Sequence, residues 1–511
     1  MRAWQFGTWD DPNLRILCIA LVLFGGLRLV WISDIPFIND EPQLILRAQE
    51  ANHQGVLVRH GLRGTRGIDY GPLPTWIYQL GLAVFGNLIL LAATKAFVIT
   101  ILCGLCLIWL ASILRGLVPW IGATAFLSTY LWFYARDLWD NSFVIPLSAV
   151  ALVSYFSHLN SGKFWPFAVM AVACTGLGLT HLMSLPIVIA ISLHMAVFRR
   201  EFLNQQAVRI LVLGLFCLAL AAPYLLHLSL HSEGVSEQSW AGQIRSLFFA
   251  VFGIRFFSGV GLTYFFGNDW LNPWEHPRLQ LLIDGAVVLS ALGIIFFVRG
   301  CLDFGREWRR HWPAKPAYSS GDPLKFHVGW VCSTALGVFV ILCYANKLSG
   351  HPHYYNALWL PFFYFTWKGA SLFWSEPSTW LKTLVMVWAV CLGTFLLGAM
   401  VRVHLGQGTR SLHYGPTLGN LIEVGQVLEN RARCSELYLE AWHPRAFPHS
   451  IKAVRKAHGP ISQASSGSKR TKQTEQETLI ISYSRPKDQW HGGITARAIR
   501  NQGLRSAKSP P

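Results

Sequence analysis

Residues 88 to 113 read LILLAATKAFVITILCGLCLIWLASI, a run of almost entirely apolar side chains. A helix needs about 20 such residues to cross the hydrocarbon core of a bilayer, and the chain holds further apolar runs of that kind. They lie at 14 to 33, 118 to 135, 141 to 159, 164 to 180, 183 to 198, 208 to 230, 279 to 299, 327 to 345, 354 to 374 and 379 to 401. The sequence therefore predicts an all-α polytopic membrane protein with about 11 transmembrane helices.

The overall composition indicates the same class. Of the 511 residues, 52% are hydrophobic and only 14% are charged, and the mean hydropathy is +0.37. Typical soluble domains carry about 25% charged residues. The formal net charge of +17 comes from basic residues that are spread over short loops and the C-terminal region, which suits anionic headgroups better than nucleic acid. We therefore expect membrane lipids, and no nucleic acid, among the partners.

The distribution of Lys and Arg predicts the orientation. With the N-terminus in the cytoplasm, the inside loops carry the basic residues Arg115, Lys163, Arg199, Arg200, Arg299, Arg306, Arg309, Arg310, Lys315 and Lys325. The stretch 247 to 266 is ambiguous between a span and an interfacial segment, and the charge pattern favours the interfacial one, because a crossing would move the most basic loop outside. The C-terminus is then external.

The composition changes beyond residue 402. This pattern predicts a transmembrane domain at 1 to 401 and an extracytoplasmic C-terminal region at 402 to 511. Helical spacing and strand-forming runs in that region predict a small external α/β appendage, with elements at Pro416 to Arg431, Glu436 to Trp442, Ile451 to His458 and Thr478 to Tyr483. Polar composition predicts flexible chain at Ser462 to Glu477 and Arg500 to Pro511.

Residues 35 to 43 read IPFINDEPQ and place two adjacent carboxylates, Asp40 and Glu41, just after the first predicted span. Ionised groups so close to a bilayer are a functional hypothesis by default. A carboxylate there can act as a general base toward a hydroxyl or an amine. The alternative is a helix cap, since Pro42 and two acids suit the first turn of a helix. The two roles are compatible.

Other polar residues of the predicted external loops form further candidates. Asp69 and Tyr70 precede a proline-rich break and an amphipathic run. Arg136, Asp137 and Asp140 form a charged turn between two predicted spans. The alternative for this turn is a snorkelling flank of the helices with no role in the site. A lone histidine at a helix end, such as His181, is more often a satisfied core residue than a ligand. A late cluster offers cations and hydrogen-bond donors for a phosphate, namely Lys347, His351, His353 and Tyr354. His351 and His353 alternatively could ligate a metal, but no third ligand is evident, so no metal site is predicted and a divalent metal stays open.

The order of these motifs resembles the GT-C glycosyltransferases, in particular the protein O-mannosyltransferase and aminoarabinose-transferase branch. The likeness covers roughly residues 14 to 400 and rests on Asp40-Glu41, GPLPTW at 71 to 76, Arg136-Asp137, GLGLTHLMSLP at 176 to 186, and HYY at 353 to 355 before Leu360-Pro361. The resemblance implies transfer of a sugar from a polyprenyl-phosphate donor to a glycan, lipid or protein acceptor at the external face, with inversion at the anomeric carbon. No further cofactor is implied.

The resemblance also implies roles for single residues. Asp40 corresponds to the catalytic base, with Glu41 beside it in orientation or acceptor binding. Donor-phosphate binding maps to Arg136, to His181, where relatives often carry Lys, and to the late cluster Lys347, His351, His353 and Tyr354, where relatives often carry Arg-Tyr. Acceptor binding or loop positioning then remains for Asp69, Tyr70, Asp137 and Asp140.

A transporter or flippase of an anionic lipid-linked substrate is the alternative function. Such proteins usually show pseudo-symmetric halves and broken helices at the midplane, and neither is evident in the sequence. The absence of any Asn-x-Ser/Thr sequon favours a bacterial inner, or plasma, membrane with the site facing the periplasm. The sequence therefore predicts a cell-envelope enzyme whose sugar and acceptor it does not name.

Overall fold

The computed structural model describes residues 12–38, 40–64, 68–114, 116–231, 292–311, 323–346, 352–406, 408, 416–430, 434–440, 450, 453–454, 477–483 and 494–500. Most of these residues are helical. The first helices are α1 (Pro12–Gly26), α2 (Asp40–Gln54), α3 (Leu73–Phe85), α4 (Leu88–Ile113), α5 (Pro119–Ala123), α6 (Thr129–Arg136), α7 (Val144–Ser161) and α8 (Phe164–Gly178). The later ones are α9 (Leu185–Phe198), α10 (Arg200–Gln205), α11 (Ala207–His231), α12 (Leu292–His311), α13 (Pro323–Ala345), α14 (Trp359–Ser375), α15 (Thr379–Gly406) and α16 (Leu418–Asn430).

The chain is a polytopic, mostly helical membrane protein, as the sequence predicts. Among the described residues, 5 helical segments are long and apolar enough to cross a membrane, judged by length and composition: Leu88–Ile113, Asp140–Ser161, Ala207–Leu230, Leu324–Ala345 and Thr379–Leu405. Shorter apolar helices accompany them at Pro12–Gly26, Leu73–Phe85, Phe164–Gly178 and Leu182–Phe198. The number of about 11 spans stays a prediction, and the ambiguous stretch 247 to 266 lies outside the described residues.

Two predicted spans are interrupted. The run 118 to 135 is divided into α5, a 3-10 turn at Thr124–Leu127, and α6. The Thr124 hydroxyl donates to the carbonyl of Ile121 at 2.6 Å, and Ser128 has an extended backbone, so short hydroxyl side chains compete with the helical pattern here. The run 354 to 374 similarly begins with a 3-10 segment, Pro352–Leu358, before α14.

Close helix packing depends on small residues at one contact. Gly300 on α12 and Gly369 on α14 face each other's helix so closely that an added Cβ would meet the carbonyl oxygens of Phe365 and Phe296, respectively. Small residues let two helix backbones approach, which is the common way to pack helices in a membrane. This contact joins α12 to α14, the helix that follows the 3-10 segment Pro352–Leu358.

The C-terminal region contains α16 and a three-stranded sheet, which confirms the predicted α/β appendage. Strands β1 (Cys434–Glu440), β2 (Glu477–Tyr483) and β3 (Ile494–Arg500) lie in that order, with β1 parallel to β2 and β2 antiparallel to β3. The sequence predicted the first two strands with slightly shifted ends and missed β3. The predicted helix at Ile451 to His458 and the two predicted flexible stretches lie almost entirely outside the described residues.

This appendage contacts the loop that leads into α2. The amides of Leu418 and Gly419 donate to the carbonyls of Ile35 and Ser33, at 2.9 and 3.0 Å. Leu418 and Ile35 also share one buried apolar cluster with Leu44 of α2. The C-terminal region therefore supports the segment that carries the acid pair.

Candidate active site

The predicted external residues meet at one end of the helix bundle. Asp40 begins α2, and the turn after α6, the junction between α8 and α9, and the 3-10 segment before α14 all lie around it. The predicted internal residues meet elsewhere: the ring of His158 contacts the Lys163 carbonyl at 2.8 Å and the Arg199 guanidinium at 3.3 Å. The structure therefore groups the loops as the charge pattern does, while which end faces the cytoplasm stays a prediction.

Asp40 is held in a fixed orientation at the start of α2. Its Oδ2 accepts a hydrogen bond from the Trp139 indole nitrogen at 3.1 Å. Burial raises the pKa of Asp40 above its usual value, and the hydrogen bond from Trp139 opposes that rise. Asp40 and Glu41 lie in the first helical turn, where the helix dipole favours negative charge, so the capping and the catalytic interpretations both fit this position.

Glu41 and Asp137 form a buried pair of carboxyl groups. The two residues are 3% and 1% exposed, and the charges of their carboxyl groups interact unfavourably. Burial, followed by the charge of Glu41, raises the pKa of Asp137 well above its usual value. Two separately predicted site residues, Glu41 and Asp137, are therefore brought together, although they lie far apart in sequence.

Lys95 is a site residue that the sequence analysis missed. It lies on α4 inside the apolar run, is 6% exposed, and donates from Nζ to the main-chain oxygen of Asp137. Its charge interacts with Asp137, Glu41 and Asp140. An ionisable residue in a span is itself a signal of function, and that signal was available in the sequence. Lys95, Glu41, Asp137 and Asp140 are called the buried charge cluster below.

The turn that carries Asp140 is fixed by main-chain contacts. Asp140 is buried, and its Oδ1 accepts from the Asn141 amide at 2.6 Å. The carbonyl of Asn141 accepts from Asn356 Nδ2 at 3.1 Å, and Asn356 accepts in turn from the Tyr130 hydroxyl. Oδ2 of Asp140 has no hydrogen-bond partner within the part of the chain that the structure describes.

A series of aromatic rings connects the remaining candidates to Asp40. Ring centroids lie 4.2 Å apart for Tyr70 and His181, 6.2 Å for His181 and Tyr354, 4.4 Å for Tyr354 and His353, and 4.6 Å for His353 and Trp139. Trp139 then donates to Asp40. Burial and the nearby acids raise the pKa of Tyr70, so it keeps its hydroxyl proton. We call these five rings the ring series.

His181 is a neutral donor in this series. Its Nδ1 accepts from the Met183 amide at 3.1 Å, so the proton of the neutral ring lies on Nε2. Nε2 is buried and has no hydrogen-bond partner among the described residues. Burial lowers the pKa of His181 to about 3, so the ring carries no charge near neutral pH. His181 therefore offers one N–H donor rather than a cation.

Arg136 lies beside the site but contacts the loop before α2. Its guanidinium donates to the carbonyl of Trp31 and lies 4.3 Å from the ring centroid of Trp132. It is 1% exposed. In this position Arg136 supports the segment leading to Asp40, and its role in phosphate binding stays a prediction.

The remaining predicted site residues are Lys347, His351, Asp69 and Tyr70. Lys347 and His351 lie outside the described residues. Asp69, predicted to position the loop or bind the acceptor, contacts His60 and His227 at 3.2 and 2.7 Å instead of Asp40. Its neighbour Tyr70 belongs to the ring series. The two adjacent residues therefore face different groups.

Comparison with known proteins gives a limited result. No protein-family model and no curated protein matches the sequence. Among solved structures, the chain is similar to the crystal structure of ArnT from Cupriavidus metallidurans bound to undecaprenyl phosphate, with a TM-score of 0.46 and 12% sequence identity. The match covers 91% of this chain and 92% of that one. A similarity of this size assigns neither a family nor an activity to the chain.

Proposed function

We propose that this protein is a membrane glycosyltransferase that moves a sugar from a polyprenyl-phosphate donor to an acceptor hydroxyl or amine. The observation that carries the proposal is Asp40: a half-buried carboxyl group with a raised pKa, oriented by Trp139, at one end of a series of rings that contains a neutral donor. The motif order of the sequence supports the same reaction class. The acceptor is a glycan, a lipid or a protein.

Asp40 acts as the general base. The acceptor O–H or N–H gives its proton to the Asp40 carboxylate while the acceptor atom bonds to the anomeric carbon. The bond from that carbon to the phosphate oxygen breaks, and its electron pair leaves with the polyprenyl phosphate. This single displacement inverts the anomeric carbon. A raised pKa makes Asp40 a stronger base than an exposed aspartate, and the Trp139 hydrogen bond keeps its orientation.

The departing phosphate gains negative charge, and placed donors stabilise that charge. His181 supplies a neutral N–H from Nε2, and the hydroxyl groups of Tyr70 and Tyr354 belong to the same ring series. Lys347 and His351 are proposed to add positive charge, following the sequence resemblance. A neutral donor has an advantage at a product site, because it stabilises the phosphate without retaining it as strongly as a cation.

The buried charge cluster positions the base. Glu41 follows Asp40 in the same helical turn and lies near Asp137, whose main chain accepts from Lys95. These contacts tie the first turn of α2 to α4 and to the end of α6. We infer that Glu41 fixes the rotation of α2, and through it the direction of Asp40.

We place the reaction at the external face of a bacterial inner membrane, with the N-terminus inside and the C-terminal appendage outside. The clustering of the predicted external loops around Asp40, and of predicted internal residues around His158, supports this orientation. The basic inside loops obey the positive-inside rule.

The test compares Asp40→Asn with wild type, using full-length protein in lipid nanodiscs and a panel of radiolabelled polyprenyl-phosphate hexoses and aminopentoses. Release of label from the donor is measured. Removal of a general base typically costs a factor of about 100 to 10,000 in rate. Glu50→Gln is the matched control, because Glu50 is an exposed acid on the same helix. It should turn over donor at the wild-type rate.

Wild-type turnover in Asp40→Asn would refute the proposed base. Absence of turnover by the wild type with every donor, together with movement of a fluorescent polyprenyl phosphate between the leaflets of vesicles, would refute the transferase and favour the transporter. The thermal unfolding of Asp40→Asn is measured beside that of the wild type, so a failure of folding is distinguished from the loss of the base.

A further inference from the structure

A second cluster of potential ligand atoms lies outside the buried charge cluster. It consists of His60, Asp69 and His227, and one ligand atom of each residue lies within 4.8 Å of those of the other two. Asp69 Oδ2 is 2.7 Å from His227 Nε2 and 3.2 Å from His60 Nδ1, and the two imidazole rings are stacked with centroids 3.9 Å apart. Two imidazole nitrogens and one carboxylate oxygen are a common ligand set for divalent transition metals.

Main-chain pairing brings the first two ligands together. The amide of Gly61 donates to the carbonyl of Tyr70 at 2.7 Å, and the amide of Tyr70 donates to the carbonyl of Leu62 at 2.8 Å. These bonds pair two short antiparallel segments, with Asp69 opposite Arg63, so His60 and Asp69 are carried by neighbouring segments of main chain. Because the main chain fixes both positions, little conformational entropy is lost when their side chains bind one ion.

Helix α11 holds Asp69 at two points. The Tyr224 hydroxyl donates to the main-chain oxygen of Asp69 at 2.8 Å, and His227 bonds to its carboxylate. Tyr224 and His227 lie three residues apart, so they project from the same face of the helix. The third ligand is therefore presented by a helix that also fixes the main chain of the second. Such support around a ligand is typical of built metal sites.

Arg47 is a charged group in direct contact with the cluster. It donates to the Gly61 carbonyl at 2.7 Å and lies 2.7 Å from His60 Nε2. Coordination through His60 Nδ1 would move the imidazole proton to Nε2, so Arg47 must then release the ring and keep its bond to Gly61. The positive charge of Arg47 lowers the affinity for a cation and favours a hydroxide or another anion as the fourth ligand.

We propose that His60, Asp69 and His227 form a binding site for a divalent transition metal ion, with Zn²⁺ as the ion that the ligand set fits best. Three protein ligands and one open position are a frequent arrangement for Zn²⁺. The ion would join α11 to the loop that carries Tyr70, the residue after Asp69. Asp40 is not a ligand, so this site is separate from the proposed base.

The test measures bound metal and does not depend on transferase activity. Full-length protein is purified in detergent with a tag that contains no histidine, stripped with a chelator, incubated with Zn²⁺ and desalted. Its metal content is then determined by mass spectrometry, and its affinity by competition with a chromophoric chelator. We expect about one Zn²⁺ per wild-type chain, and affinity at least about 10-fold weaker in Asp69→Asn and in His227→Asn.

Two further variants separate metal binding from folding. His227→Cys supplies another good Zn²⁺ ligand and should retain bound metal, although the hydrogen bond to Asp69 is lost. His404→Asn is the matched control, because it breaks a different His–Asp contact, 2.8 Å long, with Asp34, and it should bind Zn²⁺ as the wild type does. Equal metal content in the wild type and in a His60→Asn, His227→Asn double variant would overturn the proposal, as would wild-type metal content at the level of the buffer.

Discussion

Replacement of Lys95 by Met tests the buried charge cluster. The side chain is 6% exposed and lies among Glu41, Asp137 and Asp140, so its removal leaves buried acids without their cation. Breaking a buried ion pair by removing one partner typically costs about 3 to 5 kcal/mol. Methionine has a similar length, so little packing is lost. A loss of about 3 kcal/mol is roughly a 100-fold decrease in the folding equilibrium constant.

The assay is reversible unfolding in mixed detergent micelles, carried out as a double-mutant cycle with Asp137→Asn. Lys95 donates to the main-chain oxygen of Asp137, which the Asn variant keeps, so the cycle isolates the interaction between the two charges. We expect the double variant to be about 1 to 3 kcal/mol more stable than the sum of the single losses predicts. Losses that add to within about 0.5 kcal/mol would refute the assignment of Lys95 as the cation of this cluster.

Three further predictions concern Asp40, the ring series and the adjacent loop. Trp139→Phe removes the hydrogen bond that lowers the pKa of Asp40, so the acid limb of kcat/KM, on which activity rises with pH, should move to higher pH; an unmoved limb would exclude Asp40 as the titrating base. His181→Phe should slow transfer about 10-fold or more, whereas His181→Gln keeps a hydrogen-bond donor and should keep most of the rate. Because burial lowers the pKa of His181 to about 3, the ring is already neutral, and the turnover of the wild type should show no loss from His181 deprotonation between pH 6 and 8. Gly71→Ala would force a Cβ against the carbonyl of the α8–α9 junction and should lower both stability and activity, whereas Gly26→Ala, which has open space, should change neither; equal thermal unfolding of the two variants would contradict this.

The sequence predicted that several of the described loops lie near Asp40. Polar groups at the ends of apolar helices are costly in lipid, so they collect where they can be paired, and the charge of the connecting loops predicts which face of the membrane they lie on. Asp40, His181 and His353 accordingly lie in one region through Trp139 and Tyr354. The same reasoning predicts only the region in which each polar side chain lies. Which groups that side chain contacts depends on the rotation of each helix about its axis, and hydropathy does not specify that rotation.

Lys95 shows how an average hydropathy conceals a buried charged residue. The span Leu88–Ile113 has a mean hydropathy of 2.6 over its best window, so a single lysine hardly changes the prediction of a membrane helix. Yet a buried lysine needs a nearby negative charge, and the side chains of Glu41, Asp137 and Asp140 provide it. Each ionisable residue inside a span should therefore be treated as one half of a pair whose other half remains to be found.

The sequence analysis missed the contact between Asp69 and His227 for a different reason. His227 and Asp69 are separated by 158 positions, and neither belongs to a short motif with metal-ligand spacing. Sequence reasoning considered His351 and His353 because they lie two positions apart, whereas the observed cluster combines residues of a loop with one near the end of α11. Spacing rules detect metal ligands that lie on one helix or loop, and they do not detect ligands that the fold brings together from separate segments.

The C-terminal region illustrates the same limit for main-chain contacts. Helical periodicity correctly predicted α16, but nothing in that pattern indicates that the amides of Leu418 and Gly419 bond to the carbonyls of Ile35 and Ser33. First-turn amides have no partner within their own helix, so they are free to bond elsewhere. Here they bond to the segment that also receives the Arg136 guanidinium at Trp31 and leads directly to Asp40. The appendage is therefore part of the framework that orients the proposed base, although it lies outside the stretch whose motifs suggested the function.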